Sequence, residues 1–210
     1  MKILVIGATG GTGRCVVEHA LRAGHEVTAF ARTPQKLTMQ HERLRVAKGD
    51  VLQADSVSRA MQGQQAVICA LGPAAGTAPG TIISEGSRNI IQAMKQERVR
   101  RLVFESGIMV GEGRGLSAIN RFLLAIFRNL NRALYEDKVR AEKLIRESGI
   151  DWVIVRPPKL KHMPARGNYR VGEALSVNLP AGLAHADVAD FMVKSVASDA
   201  RLHQLVEIGY

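Results

Sequence analysis

Gly7, Gly10 and Gly13 follow the apolar run Ile3–Ile6 at intervals of three, in "KILVIGATGGTGRCVVEH", and a helical pattern comes directly after them. No other feature limits the fold as strongly. Glycine allows a tight turn without a Cβ and lets backbone approach a pyrophosphate, while the third glycine seats the helix close on the sheet. Gly11 belongs to the same turn, and Thr9 and Thr12 add hydroxyl donors. The helix that follows turns unpaired N–H groups and a positive dipole end toward the phosphates. Strand, glycine turn and helix at the head of a βαβ unit together predict a dinucleotide site.

The second apolar run, Glu26–Ala31, ends on Arg32, 19 residues after Gly13. In an NAD site an acid about 20 residues on takes the ribose 2′-hydroxyl. Here a guanidinium stands in that place, with Thr33 beside it and Lys36 one helical turn later. A carboxylate would repel a 2′-phosphate, whereas a guanidinium grips it in bidentate fashion. The expected cofactor is therefore NADP(H) in preference to NAD(H). Asp50, in "KGDV", is placed to accept from the adenine amino group, with a turn role as its alternative. Val51 supplies a backbone donor there, and Leu71 and Gly72 end a further strand where the chain passes close to the cofactor.

Apolar runs alternate with helical stretches along the whole chain. Strands are expected at Lys2–Ile6, Glu26–Ala31, Leu44–Ala47, Ala66–Leu71, Arg101–Glu105, Trp152–Val155 and Leu205–Ile208. Helical patterns fall near Thr12–Ala23, Ser56–Met61, Gly80–Gln96, Ser117–Ser148 and Ala186–Ser198. Strands apolar on both faces and separated by helices imply a parallel sheet covered on both sides. The predicted fold class is α/β, a doubly wound parallel sheet in one Rossmann domain spanning 1–210. Residues 159–180, rich in proline and glycine, read as an irregular substrate-side lobe within it.

Lys and Arg outnumber Asp and Glu by 29 to 19, a net charge of +10. Aromatic residues make up only 4% of the chain and no helix-turn-helix, zinc or RNA-binding signature is present, so nucleic acid is not the expected partner. A basic cleft that focuses a small anionic or aromatic acceptor explains the charge more economically. Cys15 and Cys69 have no metal-ligand spacing and read as reduced thiols of a cytoplasmic protein without a metal. No stretch approaches the roughly 20 apolar residues of a membrane span, and the first apolar run reads as a strand and not a signal peptide.

The segments "GATGGTG", "GDVLQADSV", "GQQAVICALG", "SEGSRNIIQAMK", "LIRESGIDWVIVRPP" and "VADFMVKSV" together resemble the atypical short-chain dehydrogenase/reductases. Within them the chain is most similar to the biliverdin reductase B / NADPH-dependent flavin reductase group, close to the NmrA-like proteins. The resemblance implies a monomeric or weakly dimeric reductase that passes a hydride from NADPH to a flavin or a linear tetrapyrrole. The flavin is then a substrate and not a bound prosthetic group. It also carries Arg32, Lys36, Asp50, Val51, Leu71, Gly72 and Ser106 onto cofactor-contacting positions. An NmrA-like NADP-binding sensor without turnover is the alternative.

Conventional members of the wider superfamily protonate a carbonyl with a Tyr-x-x-x-Lys pair. This chain offers Tyr135 and Lys138, spaced by three, so Tyr135 is a candidate proton donor whose more economical reading is structural. A flavin acceptor needs mainly stacking and orientation. Ser106, in "FESGIM", can hold the nicotinamide or a substrate atom, and Pro157 and Pro158 can wall that pocket. Lys159, a further candidate site residue, stands where the family pattern has a histidine. An ammonium cannot act as both donor and acceptor, which weakens the case for tetrapyrrole reduction, yet it can attract an anionic flavin phosphate or propionate. Finally, Leu116, Ile119, Leu123, Ile126 and Leu130 form a stripe at helical period. It is expected to pack on the body and roof the cleft, a membrane-surface helix or dimer contact being the alternatives.

Overall fold

A computed structural model of the chain describes residues 1–73 and 80–210. The strands are β1 (Lys2–Ile6), β2 (Glu26–Ala31), β3 (Leu44–Lys48), β4 (Ala66–Cys69), β5 (Arg101–Glu105), β6 (Asp151–Arg156), β7 (Leu160–Lys161), β8 (Arg170–Gly172), β9 (Leu183–Ala184) and β10 (Gln204–Gly209). The helices are α1 (Gly11–Arg22), α2 (Ala54–Met61), α3 (Ile82–Gln96), α4 (Ala118–Leu130), α5 (Arg132–Arg146) and α6 (His185–Val196). Eight strands form one sheet in the order β3-β2-β1-β4-β5-β6-β10-β8, parallel throughout except for β8, which runs antiparallel to β10. The chain is a doubly wound α/β Rossmann fold, with the order reversing between β1 and β4.

Side chains alternate across this sheet, as period-two geometry requires. From β1, Ile3 and Val5 face Val16, Val17 and Ala20 of α1 together with Val188 and Met192 of α6. Leu4 and Ile6 face the opposite layer, with Ile90 and Met94 of α3 and Ile145 of α5. Both faces are buried, which is why the strands read as unbroken apolar runs. Among the described residues, no helix is long and apolar enough to cross a membrane.

Three expectations need correction. The stretch Ser117–Ser148 is two helices, because the chain leaves helical geometry at Asn131 (φ −118°, ψ 38°), whose side chain donates to the Phe127 carbonyl at 3.0 Å. Residues 159–180 carry β7 and β8 and are not wholly irregular.

The third correction is the facing of α4. Its Leu124 is buried, but Ile119, Phe122 and Leu130 are 64%, 62% and 76% exposed. The polar side turns inward instead. Arg128 donates from Nε to the Met109 carbonyl at 2.7 Å and from Nη2 to the Gly111 carbonyl, and Asn120 donates to the Val177 carbonyl at 3.0 Å. These carbonyls lie in short turns and loops and need donors. Their demand fixes the helix with its apolar stripe outward.

Candidate cofactor and active site

The carboxyl ends of β1, β2, β4 and β5 border a cleft of about 490 Å³, at the point where the sheet order reverses. The glycine turn forms its floor. Gly7 adopts φ +79°, and a Cβ on it would run into the Ala70 carbonyl, while a Cβ on Gly13 would run into Gly7 itself. Gly10 caps α1 without any side-chain bond, and no acid occupies the first turn. The first bond of the helix runs from Arg14 N–H to the Gly10 carbonyl at 3.0 Å. Gly11, Thr12 and Gly13 therefore turn N–H groups outward without intrahelical acceptors. Thr9, Val51, Leu71 and Gly72 also line the cleft, and a Cβ on Gly72 would meet no atom of the described residues. Such a cradle fits a diphosphate.

Arg32, Thr33 and Lys36 line the outer end of the cleft, with both cations exposed to solvent. Pro34–Lys36 forms one 3₁₀ turn, and Arg14 clamps it by donating to the Lys36 carbonyl at 2.8 Å. Sequence reasoning did not single out Arg14, since only folding brings α1 against this turn. Among the described lining residues Glu105 is the only acid, so the cleft suits a polyanion.

Glu105 sits at the end of β5, three strand spacings from Arg32 in the sheet, roughly 14 Å. Thr12 joins it to α6. The hydroxyl donates to Glu105 Oε1 at 3.1 Å and lies 2.9 Å from His185 Nδ1. Burial raises the Glu105 carboxyl to about 6, although the Lys138 ammonium and the Thr12 hydroxyl pull the other way. Lys138 also lines the cleft and donates to the Ser106 carbonyl at 2.7 Å; burial lowers its pKa. The Ser106 hydroxyl is buried and, among the described residues, has no hydrogen-bond partner. Native proteins seldom leave such a group unpaired, and a ligand amide or hydroxyl would satisfy it. His185 closes the wall beneath the glycine turn, and a Cβ on Gly11 would come within 2.6 Å of its ring. The His162 ring lies 4.8 Å from it, tilted by 43°. The expectations passed over Glu105 and His185, because the contacts that define them span 93 and 173 residues.

Of the expected site residues, Gly13, Asp50, Ser106, Tyr135, Pro157, Pro158 and Lys159 lie outside the cleft lining. Asp50 accepts from the Leu52 N–H at 3.0 Å, the turn role given as its alternative. Its neighbour Val51 accepts from the Asn89 side chain at 2.9 Å. Pro157 is buried, and its carbonyl accepts from the Ile108 N–H at 2.8 Å. The Lys159 side chain is exposed; its carbonyl accepts from Leu183, and the next residue, Leu160, lines the cleft instead. Tyr135 packs against a small cluster around Ile108, Met109 and Leu124, with the Arg128 guanidinium 5.6 Å over its ring. No residue of α4 lines the cleft. Among the described residues, no group of His, Cys, Asp and Glu is arranged to hold a metal ion.

Comparisons with known proteins agree with this geometry. A family model described as NAD(P)H-binding matches residues 7–199. An uncharacterised chloroplastic protein of Arabidopsis thaliana is 31% identical over 99% of this chain and 76% of its own length. A short-chain dehydrogenase/reductase of Veillonella parvula, solved in complex with NADP, superposes with a TM-score of 0.81 over 100% of this chain and 94% of its own, at 17% identity. ChuY, an anaerobilin reductase of Escherichia coli O157:H7, superposes with a TM-score of 0.78 over 100% and 97%, at 21% identity. These last two similarities establish the fold.

Proposed function

We propose that this chain, which belongs to the NAD(P)H-binding family, is an NADPH-dependent reductase of free flavins or similar planar conjugated acceptors, linear tetrapyrroles included. One observation carries the reading. The cleft joins a phosphate cradle to the cationic corner Arg32–Lys36, and Glu105, the one acid among its described lining residues, lies at the far end. That charge order matches a dinucleotide with a phosphorylated ribose. Atypical short-chain dehydrogenase/reductases are the group within which we place it.

In this reading the N–H groups of Gly11, Thr12 and Gly13 hold the diphosphate, and Arg32 and Lys36 hold the 2′-phosphate. When bound, the nicotinamide supplies a hydride with its electron pair. The Ser106 hydroxyl takes up a polar atom of that ring or of the acceptor. Lys138 places a positive charge beside it, and Leu160 and Ile82 shield the reacting faces from water. The absence of Tyr135 from the lining favours an acceptor that needs orientation more than a phenolic proton donor. The acceptor passes through as a substrate. Free thiols at Cys15 and Cys69 suit a reducing cytoplasm, and a monomer or weak dimer suffices, since this chain alone supplies every group named.

The same position of Tyr135 supports a second reading, an NADP-binding sensor without turnover. Acceptor-dependent loss of NADPH absorbance separates the two. Steady oxidation on adding free flavin, biliverdin or a quinone supports the reductase; tight NADPH binding with no oxidation by any of them supports the sensor.

A further inference from the structure

Hydride transfer to a conjugated acceptor leaves an electron pair on a ring heteroatom, which must then gain a proton. With Tyr135 facing away, some other group must supply it. Glu105, Thr12 and His185 are linked end to end at the inner wall of the cleft, and Glu105 and His185 both line it. Thr12 is only 4% exposed, so its hydroxyl bonds to these partners and not to bulk water. While Thr12 donates to Glu105 Oε1, its oxygen accepts from His185 Nδ1–H. If every bond of that chain reverses, Glu105 becomes the donor and His185 Nδ1 the acceptor. One proton has then crossed from the imidazole to the carboxyl.

Resting on the reductase reading, we propose that this chain of bonds is the proton-delivery line of the enzyme, with Glu105 handing the proton to the acceptor and His185 recharging it from solvent. Each turnover balances: the acceptor gains a hydride and one proton, NADPH becomes NADP⁺, and His185 recovers its proton from water. The line also selects among substrates. Acceptors whose reduced form must be protonated on a buried nitrogen or oxygen gain most from it, and acceptors protonated freely by water gain least.

The groups facing the line come from every neighbouring element. Lys138 of α5 and Cys69 of β4 face Glu105, while His162 faces His185. Asp187, two residues beyond His185, is occupied by the Arg166 and Gly167 N–H groups and by Tyr210. Burial raises the Glu105 pKa and lowers that of His185, which brings the two proton affinities toward each other, as a relay requires.

The test pairs kinetics with a titration of the protein without nucleotide. Thr12→Val removes the hydroxyl at nearly constant shape, Thr12→Ser keeps it, and Glu105→Gln removes the titrating carboxyl. With biliverdin or a quinone as acceptor, Thr12→Val should lower kcat about tenfold or more, with KM for NADPH little changed, and Thr12→Ser should restore it. In Glu105→Gln the fall of kcat with rising pH should disappear. In the NMR titration, assigned by loss of its signal in His185→Gln, the His185 midpoint should fall by about half a pH unit or more in Glu105→Gln, as a linked negative charge is lost. An unchanged kcat in Thr12→Val, or a His185 midpoint indifferent to Glu105, would overturn the relay. Lack of turnover in the wild type, with the His185 shift still present, would instead overturn the reductase reading and the relay's catalytic role with it.

Discussion

Lys138 Nζ donates to the Ser106 carbonyl at 2.7 Å, which ties α5 to the end of β5 at the inner wall of the cleft. The preceding residue braces a different element. Asp137, 1% exposed, accepts from the Ile83 and Ser84 N–H groups at 2.9 and 3.0 Å and from the Ser84 hydroxyl at 2.5 Å. Two adjacent residues of α5 thus fix the inner wall of the cleft and the start of α3.

Lys138→Met should separate chemistry from folding. The methionine fills the space of the lysine stem and removes a buried charge whose burial already disfavours it. Stability by urea denaturation should stay within about 1 kcal/mol. The cation beside Glu105 and the bond to Ser106 are both lost, so kcat should fall at least roughly tenfold. Unchanged turnover would remove Lys138 from the site.

Asp137→Ala should do the reverse. It leaves two buried N–H groups at the start of α3 unpaired, and loss of such a charged cap costs about 2–4 kcal/mol. A urea midpoint within error of the wild type would show that α3 needs no cap from α5.

Glu105 makes a prediction about stability and pH. Its folded pKa, about 6, lies above the ordinary carboxyl value of 4.5, so the folded state holds the proton more tightly than the unfolded state. Its contribution is fully present below about pH 4.5 and is lost as pH rises through about 6. Glu105→Gln keeps an acceptor for Thr12 but cannot ionise. It should match the wild type near pH 4 and exceed it by roughly 2 kcal/mol at pH 7.5, from the size of the shift. Parallel pH–stability curves for the two proteins would refute the raised pKa.

Local chemistry made much of this fold legible. The first strand, its glycine turn and Arg32 are contiguous, and each strand buried on both faces writes itself as an apolar run. What was not legible depends on partners distant in sequence. The strands β7, β8 and β9, of two or three residues each, exist only by pairing across the fold. The outward face of α4 follows from carbonyls at Met109, Gly111 and Val177 that no local pattern announces. Glu105 reads as the last residue of a strand until Thr12 and Lys138 arrive beside it. Asp50 shows the converse, since its turn bond to Leu52 was local and could be anticipated.

Cofactor choice rests on the cationic corner that Arg32 and Lys36 form past β2. Calorimetric titration of NADPH and NADH into the wild type and Arg32→Ala tests it most directly. NADPH should bind the wild type at least tenfold more tightly than NADH. Arg32→Ala should cost NADPH about 1.5–3 kcal/mol, the worth of a charge-assisted contact, and leave NADH nearly unchanged. Equal affinity for both cofactors, or an equal loss of both in the variant, would contradict it.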